Sequence, residues 1–336
     1  MEESQEVSQT ELPSQGRNPR CYRVRNSVLF SNLYVDGSSS MRSFSFVAAV
    51  LSLALQACSG GEPVEPGRYT QTDQFVTLMT NNVEGAPDLR LVADIDHSRL
   101  GHDAGSPMPP SRVLIFSDTK LESELIRLNP MTALDFPLRI LAFESGESQQ
   151  NQVIYNSFDY IASRYRLNNG ALQALATQYN DAIETVTTGI PAEAVTSFKN
   201  NEMENDGIIT LESPYDFEET IARVRAAIES QDDTMYFGTV DFQANGKEIG
   251  IDIPPSYMIL FGGPGPGGKA MAKAATLGLD GFCQKFLIWQ DENGVTHLSF
   301  NDLIALARRQ GVPVPLVLRV IDFRLNSVFE GALEAS

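Results

Sequence analysis

The apolar pattern is clearest in the second half of the chain. Ile208–Glu212 is short and β-branched, and Ser213-Pro214 follows it. That pair supplies an N-cap residue and then the proline favoured in a first helical turn. Phe217, Ile221, Val224 and Ile228 recur at helical spacing up to Ser230, which predicts a helix with one apolar face. Met235–Phe242 and Tyr257–Phe261 read as strands, and Met271–Leu277 as a short Ala-rich helix. Phe286–Gln290 and Val295–Phe300 form a hairpin about Asp291-Glu292-Asn293-Gly294, where Asn-Gly is a strong turn signal. Asn301 then caps a helix over Leu303–Gln310, which Gly311 and Pro313 stop. The first half follows the same order. Phe75, Leu78 and Met79 mark its first helix face, which Asn81-Asn82 and Gly85-Ala86-Pro87 interrupt, and a longer helix, Ala171–Thr187, ends it.

This parallel is a tandem duplication. A shift of 145 residues brings Gly105 onto Gly250, Pro109-Pro110-Ser111 onto Pro254-Pro255-Ser256, and Val113–Phe116 onto Met258–Phe261. It also brings Leu134-Asp135 onto Leu279-Asp280. After one inserted residue, Arg139–Phe143 falls on Lys285–Trp289. The original shift then returns and pairs Asn156 with Asn301, Ala162 with Ala307 and Arg164 with Arg309. Each copy reads β-α-β-β-(short α)-β-β-α, an antiparallel sheet with helices packed on it, and so α+β. The organisation is a first domain at 69–187, a polar linker at 188–206 and a second domain at 207–336.

The region before residue 69 carries an address. Met41-Arg42 precedes Phe44–Leu55, an uncharged and mostly apolar stretch of twelve residues. As a helix it would span about 18 Å, short of the ~30 Å hydrocarbon core. A basic residue, a short apolar run and then small residues have the form of a secretory signal peptide. Leu55-Gln56-Ala57-Cys58 resembles the bacterial lipobox, with cleavage between Ala57 and Cys58 and lipidation of the Cys58 thiol. Ser59-Gly60-Gly61-Glu62-Pro63 follows as a tether, which extends to residue 68. Ser59 after the lipidated cysteine points to the periplasmic face of the outer membrane. Residues 1–40 are polar and aperiodic, and we read them as an extension ahead of a start at Met41.

Charge narrows the partners. Lys and Arg number 25 against 43 Asp and Glu, a net charge of −18 in 336 residues. Met1–Ala57 holds five basic and five acidic residues, so the chain from Cys58 keeps all of this charge. Such acidity disfavours nucleic acid and anionic headgroups, so an anchor must be acyl chains rather than a basic patch.

Several motifs suggest chemistry. Gly262–Ala270 matches both G-x-x-x-x-G-K and G-x-G-x-x-G, but Pro264 and Pro266 remove two N–H groups from any phosphate nest. Ala270 replaces the Mg²⁺-binding hydroxyl, and the matching segment Ser117–Glu122 is acidic, so this stretch reads as a flexible surface loop. Asp96, His97, His102 and Asp103 could together hold Zn²⁺ or Cu²⁺. However, Phe242 and Lys247 stand at the two His positions of the second copy, so no metal and no other cofactor is expected. Cys283 could act as a nucleophile with His297 on the partner strand of the hairpin, though a lone cysteine in an apolar strand is more often core. Arg139, Lys285, Arg164 and Arg309 recur between copies and read as surface ion pairs.

The repeated blocks resemble the bacterial DUF302 domain. The resemblance rests on Pro254-Pro255 with Ile259-Leu260-Phe261, Leu279-Asp280, Trp289 with Asp291-Glu292-Asn293, and Asn301. In the first copy it rests on Pro109-Pro110, Leu134-Asp135-Phe136-Pro137 and Asn156. It implies a TBP-like α+β fold of β-α-β(4)-α type. It also implies that the two copies pair as an intramolecular pseudo-dimer, and it brings no established reaction or catalytic residues. The expectation is a non-enzymatic lipoprotein that binds a small ligand or an envelope partner. The alternative is an envelope enzyme or metal-binding protein using His97/His102 or Cys283/His297.

Overall fold

The computed structural model of the protein describes residues 66–334 other than 147–148, 169, 171 and 199–206. The apolar leader, Ala57, Cys58 and residues 1–40 lie outside the described residues. In the first repeat the elements are α1 (Thr70–Gly85), β1 (Arg90–Asp96), α2 (His97–Asp103), β2 (Ser111–Ser117) and α3 (Thr119–Leu128). They continue as β3 (Leu138–Glu144), β4 (Asn151–Asn156), α4 (Phe158–Arg164), α5 (Leu172–Thr187) and β5 (Val195–Phe198). The second repeat has β6 (Ile208–Glu212), α6 (Phe217–Glu229), β7 (Met235–Asp241), α7 (Phe242–Glu248), β8 (Ser256–Gly262) and α8 (Pro264–Met271). It ends with β9 (Gln284–Gln290), β10 (Thr296–Asn301), α9 (Leu303–Arg309) and α10 (Leu316–Leu333). No helix among the described residues is long and apolar enough to cross a membrane.

The result is the α+β architecture expected, with a five-stranded sheet in each repeat. Their orders are β1-β2-β3-β4-β5 and β6-β10-β9-β8-β7. Equivalent strands pair antiparallel in both sheets: β2 with β3 and β8 with β9, in registers that set Leu114 opposite Ile140 and Ile259 opposite Phe286. The fifth strand differs. In the second sheet the edge strand β6 comes first and lies antiparallel to β10. In the first sheet the edge is β5, parallel to β4. The stretch 188–206, read as a linker from its polarity, therefore carries the last strand of the first sheet. Val195, Ser197 and Phe198 are half-buried and Thr196 is exposed on an edge, so the stretch lacks the apolar run of a central strand.

α1 runs its sixteen residues through Asn81-Asn82 because Asn82 is not wasted on a competing turn. Its amide donates to the carbonyls of Val186 (3.0 Å) and Thr188 (2.9 Å), groups left open at the end of α5. Val76, Met79 and Val83 are fully buried along one face.

The apolar strands are buried on both faces, and this is what fuses the repeats. In β8, Ile259 and Phe261 pack with the second repeat's own helices, whereas Met258 and Leu260 join the core of the first. In β9, Phe286 and Ile288 face the helices and Leu287 faces the first repeat. Each repeat also lays a short 3₁₀ turn, Pro130–Asp135 or Ala275–Gly278, against the sheet of the other.

The glycine-rich segment is a correction to the sequence reading. It is not a flexible surface loop but the helix α8, with Gly267, Gly268, Ala270 and Met271 buried. Pro264 occupies the first turn, where its missing N–H costs nothing. The glycines then serve close packing across the repeats. A Cβ on Gly268 would stand 2.6 Å from the Ser106 carbonyl oxygen and 3.2 Å from the Cα of Gly101 in α2. The equivalent crossing sets Gly246 of α7 against Ser123 of α3.

Candidate functional site

The residues that recur between copies converge between the repeats. Arg139, Arg164, Lys285 and Arg309 are not surface ion pairs: none is more than 6% exposed. A sheet covered on both faces turns the outward positions of β3 and β9 into interior ones. The Arg164 guanidinium donates to Asp135 (2.8 Å) and crosses to the Asn301 side-chain oxygen of the other repeat (2.7 Å). Arg309 makes the mirror contact with Asn156 at 2.9 Å, and Asn156 donates to Asp280 at 2.8 Å. Lys285 lies between the two carboxylates, 3.5 Å from Asp135 and 3.4 Å from Asp280. Tyr165 donates to Asp135 at 2.8 Å, and Arg309 stacks 3.4 Å over the Tyr160 ring. Burial alone would raise the Asp135 carboxyl, but Arg164 and Lys285 hold it down at about 2. Burial also lowers the Lys285 ammonium below its ordinary value. The arrangement is a buried ionic centre that joins the repeats, with Arg164 and Lys285 paired to its carboxylates, while Arg139 instead donates to the Cys283 carbonyl at 2.9 Å.

The candidates for metal or nucleophilic chemistry do not assemble. Asp96 caps α2 by accepting from the Arg99 N–H at 2.9 Å. His97 is buried and its Nε2 meets the Gly278 carbonyl at 3.1 Å, whereas His102, five residues along the same helix, is exposed beside Asp103. No group of three or more His, Cys, Asp or Glu side chains placed to hold a metal occurs among the described residues. His297 stacks on Trp289 and approaches Asp291, opposite the far end of β9 from Cys283. Six residues of strand, roughly 20 Å, separate Cys283 from the position facing His297. Cys283 instead shares a small cavity of about 20 Å³ with His97. Burial pushes the thiol up and the imidazole down to about 4. Both shifts oppose the thiolate–imidazolium pair that a cysteine nucleophile needs.

What does recur, and was not visible in the sequence, is a cleft. In each repeat it lies between the last long helix (α5 or α10), the segment entering the first shared strand (β1 or β7) and the start of α3 or α8. In the first repeat it is a wide polar groove of about 1140 Å³ that includes Asn82, Arg90, Asp118, Lys120, Gln178 and Asp181. Gln178 bridges α5 to α3 by donating to both Asp118 oxygens, at 3.0 and 2.8 Å. In the second repeat it is a narrow cavity of about 50 Å³ walled by Phe261, Phe282, Leu325, Val328 and Phe329. Arg324 bridges α10 to the opposite rim, with both Asp233 oxygens (2.7 and 2.6 Å) and with Gln231.

Beneath the first groove, Glu122 is 1% exposed. Ser117 donates to its Oε2 at 2.7 Å, and its Oε1 has no partner among the described residues. Burial raises this carboxyl to about 8, with the neighbouring Asp118 adding to the rise and Arg90 opposing it. The folded protein therefore holds a proton that the unfolded chain gives up near 4.5, and stability falls as pH rises from that value through 8. Above about pH 7.5 the opposing contribution of His97 is flat, because the imidazole is then neutral folded or unfolded. Between about pH 7 and 8 the wild type should lose stability with a slope of at most about 1.4 kcal/mol per pH unit, falling to about half of that at pH 8, and Glu122→Gln should remove that slope. Urea melts at three pH values check this; parallel slopes in both proteins would refute it.

Comparison with known proteins gives the family. The model of "Domain of unknown function DUF302" matches residues 68–186 and again 209–322. Among curated proteins, the chain is 37% identical over 108 residues to "Fluoride-specific ion channel FluC 1" of Brucella suis biovar 1 (strain 1330). That match covers 32% of this chain and 42% of the relative. It is equally identical over 108 residues to a protein of the same name from Brucella abortus biovar 1 (strain 9-941), covering 39% of it. The chain thus spans about two-fifths of the curated relatives it matches. A solved structure, an uncharacterized conserved DUF302 protein from Bacillus stearothermophilus, aligns at 17% identity with a TM-score of 0.32. That alignment covers 38% of this chain and 95% of the other.

Proposed function

Because the chain belongs to the DUF302 family and carries its domain twice, we propose that it is a non-enzymatic envelope protein that binds a small ligand through its repeated clefts. Its anchor is a lipid on Cys58 at the periplasmic face of the outer membrane. The observation that carries the reading is the recurrence of one cleft at the same place in both repeats, while the lining has diverged from polar to apolar. Divergence at a retained cavity fits a pair of binding sites. The buried ionic centre and the mismatched protonation of Cys283 and His97 favour binding over chemistry. The address rests on Leu55-Gln56-Ala57-Cys58. The relatives named as ion channels support a working place at a membrane.

Two acyl chains give stable anchoring, whereas one gives marginal binding. Cys58→Ser should therefore abolish palmitate labelling and move the protein from the membrane to the soluble fraction. Labelling that persists in the variant would sink the address. Cys283→Ala and His297→Ala should leave the protein's cellular phenotype intact; its loss in a folded variant would favour the enzyme.

A further inference from the structure

The two clefts differ by a specific exchange. Glu122 of the first repeat aligns with Gly267 of the second. The inserted residue between Asp280 and Lys285 belongs to the segment that brings Phe282 into the vacated space. A Cβ on Gly267 would lie 3.0 Å from the Phe282 ring, so the ring stands where the first repeat keeps a carboxylic acid. The second repeat has thus lost the buried acid and gained an aromatic wall for its cleft.

One polar group remains inside. Gln284 lines this cleft and is 7% exposed. Its side-chain amide makes no hydrogen bond to a described residue and its polar atoms are not sealed off, so it is accessible from the cleft. The rim carries no net charge, because Arg324 and Asp233 neutralise one another in a bidentate pair that draws Asp233 below its ordinary carboxylate value. A charged ligand would lose its hydration against apolar walls without gaining a counter-ion. A neutral ligand with an apolar body and one amide or carbonyl group would instead satisfy Gln284 as both donor and acceptor. The free space is about 50 Å³, against the ~30 Å³ a liquid water occupies, so the buried part must be small.

Resting on the binding reading above, we propose that the second-repeat cleft is a site for a small uncharged amide-like molecule, held by the Gln284 carboxamide against Phe261, Phe282 and Phe329. The rim pair of Arg324 and Asp233 admits it without selecting for charge.

The test uses the full chain with propionamide, propionate and propylammonium as probes, read by saturation-transfer NMR and by the ¹⁵N shifts of the Gln284 side chain. Propionamide should bind at least tenfold more tightly than either ion and should move the Gln284 amide resonances. Gln284→Leu should weaken binding by tenfold or more while leaving the protein folded, since it removes the one polar group that faces the apolar walls. Val328→Ile, which narrows the cleft by one methylene, should also weaken it. Equal binding of the three probes, binding retained in Gln284→Leu, or no binding of propionamide would overturn the assignment. Propionamide that shifts Gln178 but not Gln284 would overturn it too, while leaving the broader reading of small-ligand binding in place.

Discussion

Asp135→Ala is expected to destabilise the whole chain by about 3–5 kcal/mol, the cost of leaving a buried charge without its partner. The carboxylate is 6% exposed as a residue and receives Arg164 and Tyr165, with Lys285 at 3.5 Å. Removing it leaves Arg164 without its carboxylate and Lys285 with Asp280 alone at 3.4 Å, so a cation from each repeat loses its partner in the interior. The effect should cross between repeats. Trp289, the single tryptophan, lies in the second repeat and donates to Ser299 at 2.9 Å. Its fluorescence should report the same shifted urea midpoint as far-ultraviolet circular dichroism. Adding Lys285→Met to Asp135→Ala should recover part of the loss, because it restores the balance of charge by removing one of the cations that lost Asp135. A Trp289 midpoint that stays at the wild-type value would show that the repeats unfold independently.

Gly268→Ala is the second large effect expected. A methyl group there meets the Ser106 carbonyl oxygen at 2.6 Å and Gly101 at 3.2 Å, so α8 must move away from α2. Overpacking of this kind typically costs about 1–3 kcal/mol. Three residues earlier, a Cβ on Gly265 would have nothing nearer than 3.8 Å. Gly265→Ala should therefore cost less than Gly268→Ala, since only the preference of a residue before Pro266 against the helical region opposes it. Thermal melts of the two variants give the comparison, and equal changes would contradict the role assigned to the crossing.

Much of this fold is legible in the sequence. The hairpin of β9 and β10 follows from Asn293-Gly294, whose Gly294 takes a positive φ of 77°. The duplication alone picks out Asp135 with Asp280, Asn156 with Asn301 and Arg164 with Arg309. Their burial is not legible, because an alternating strand shows which residues share a face but not whether a second sheet covers that face. Arg139 and Lys285 carry the missed signal: each is a lone cation at the start of an otherwise apolar strand. The helix α8 is hidden by composition, since Pro and Gly argue against a helix interior unless a close crossing demands them. The clefts are the least legible feature. They depend on α5 and α10 settling over segments roughly 60 to 100 residues earlier in the chain, and no local pattern encodes that. No helix is predicted beyond Gly311 and Pro313, so α10 and its Arg324 bridge emerge only in the folded molecule.

Above all, the protein should hold a small molecule in one or both of its clefts. Native mass spectrometry of the lipidated protein, purified in detergent from its own membranes, tests this most directly. The expected spectrum is that of a mature chain beginning at acylated Cys58, with a non-covalent small organic adduct and no metal. A chain of bare polypeptide mass, or one whose added mass is a metal ion held through imidazole, would contradict it.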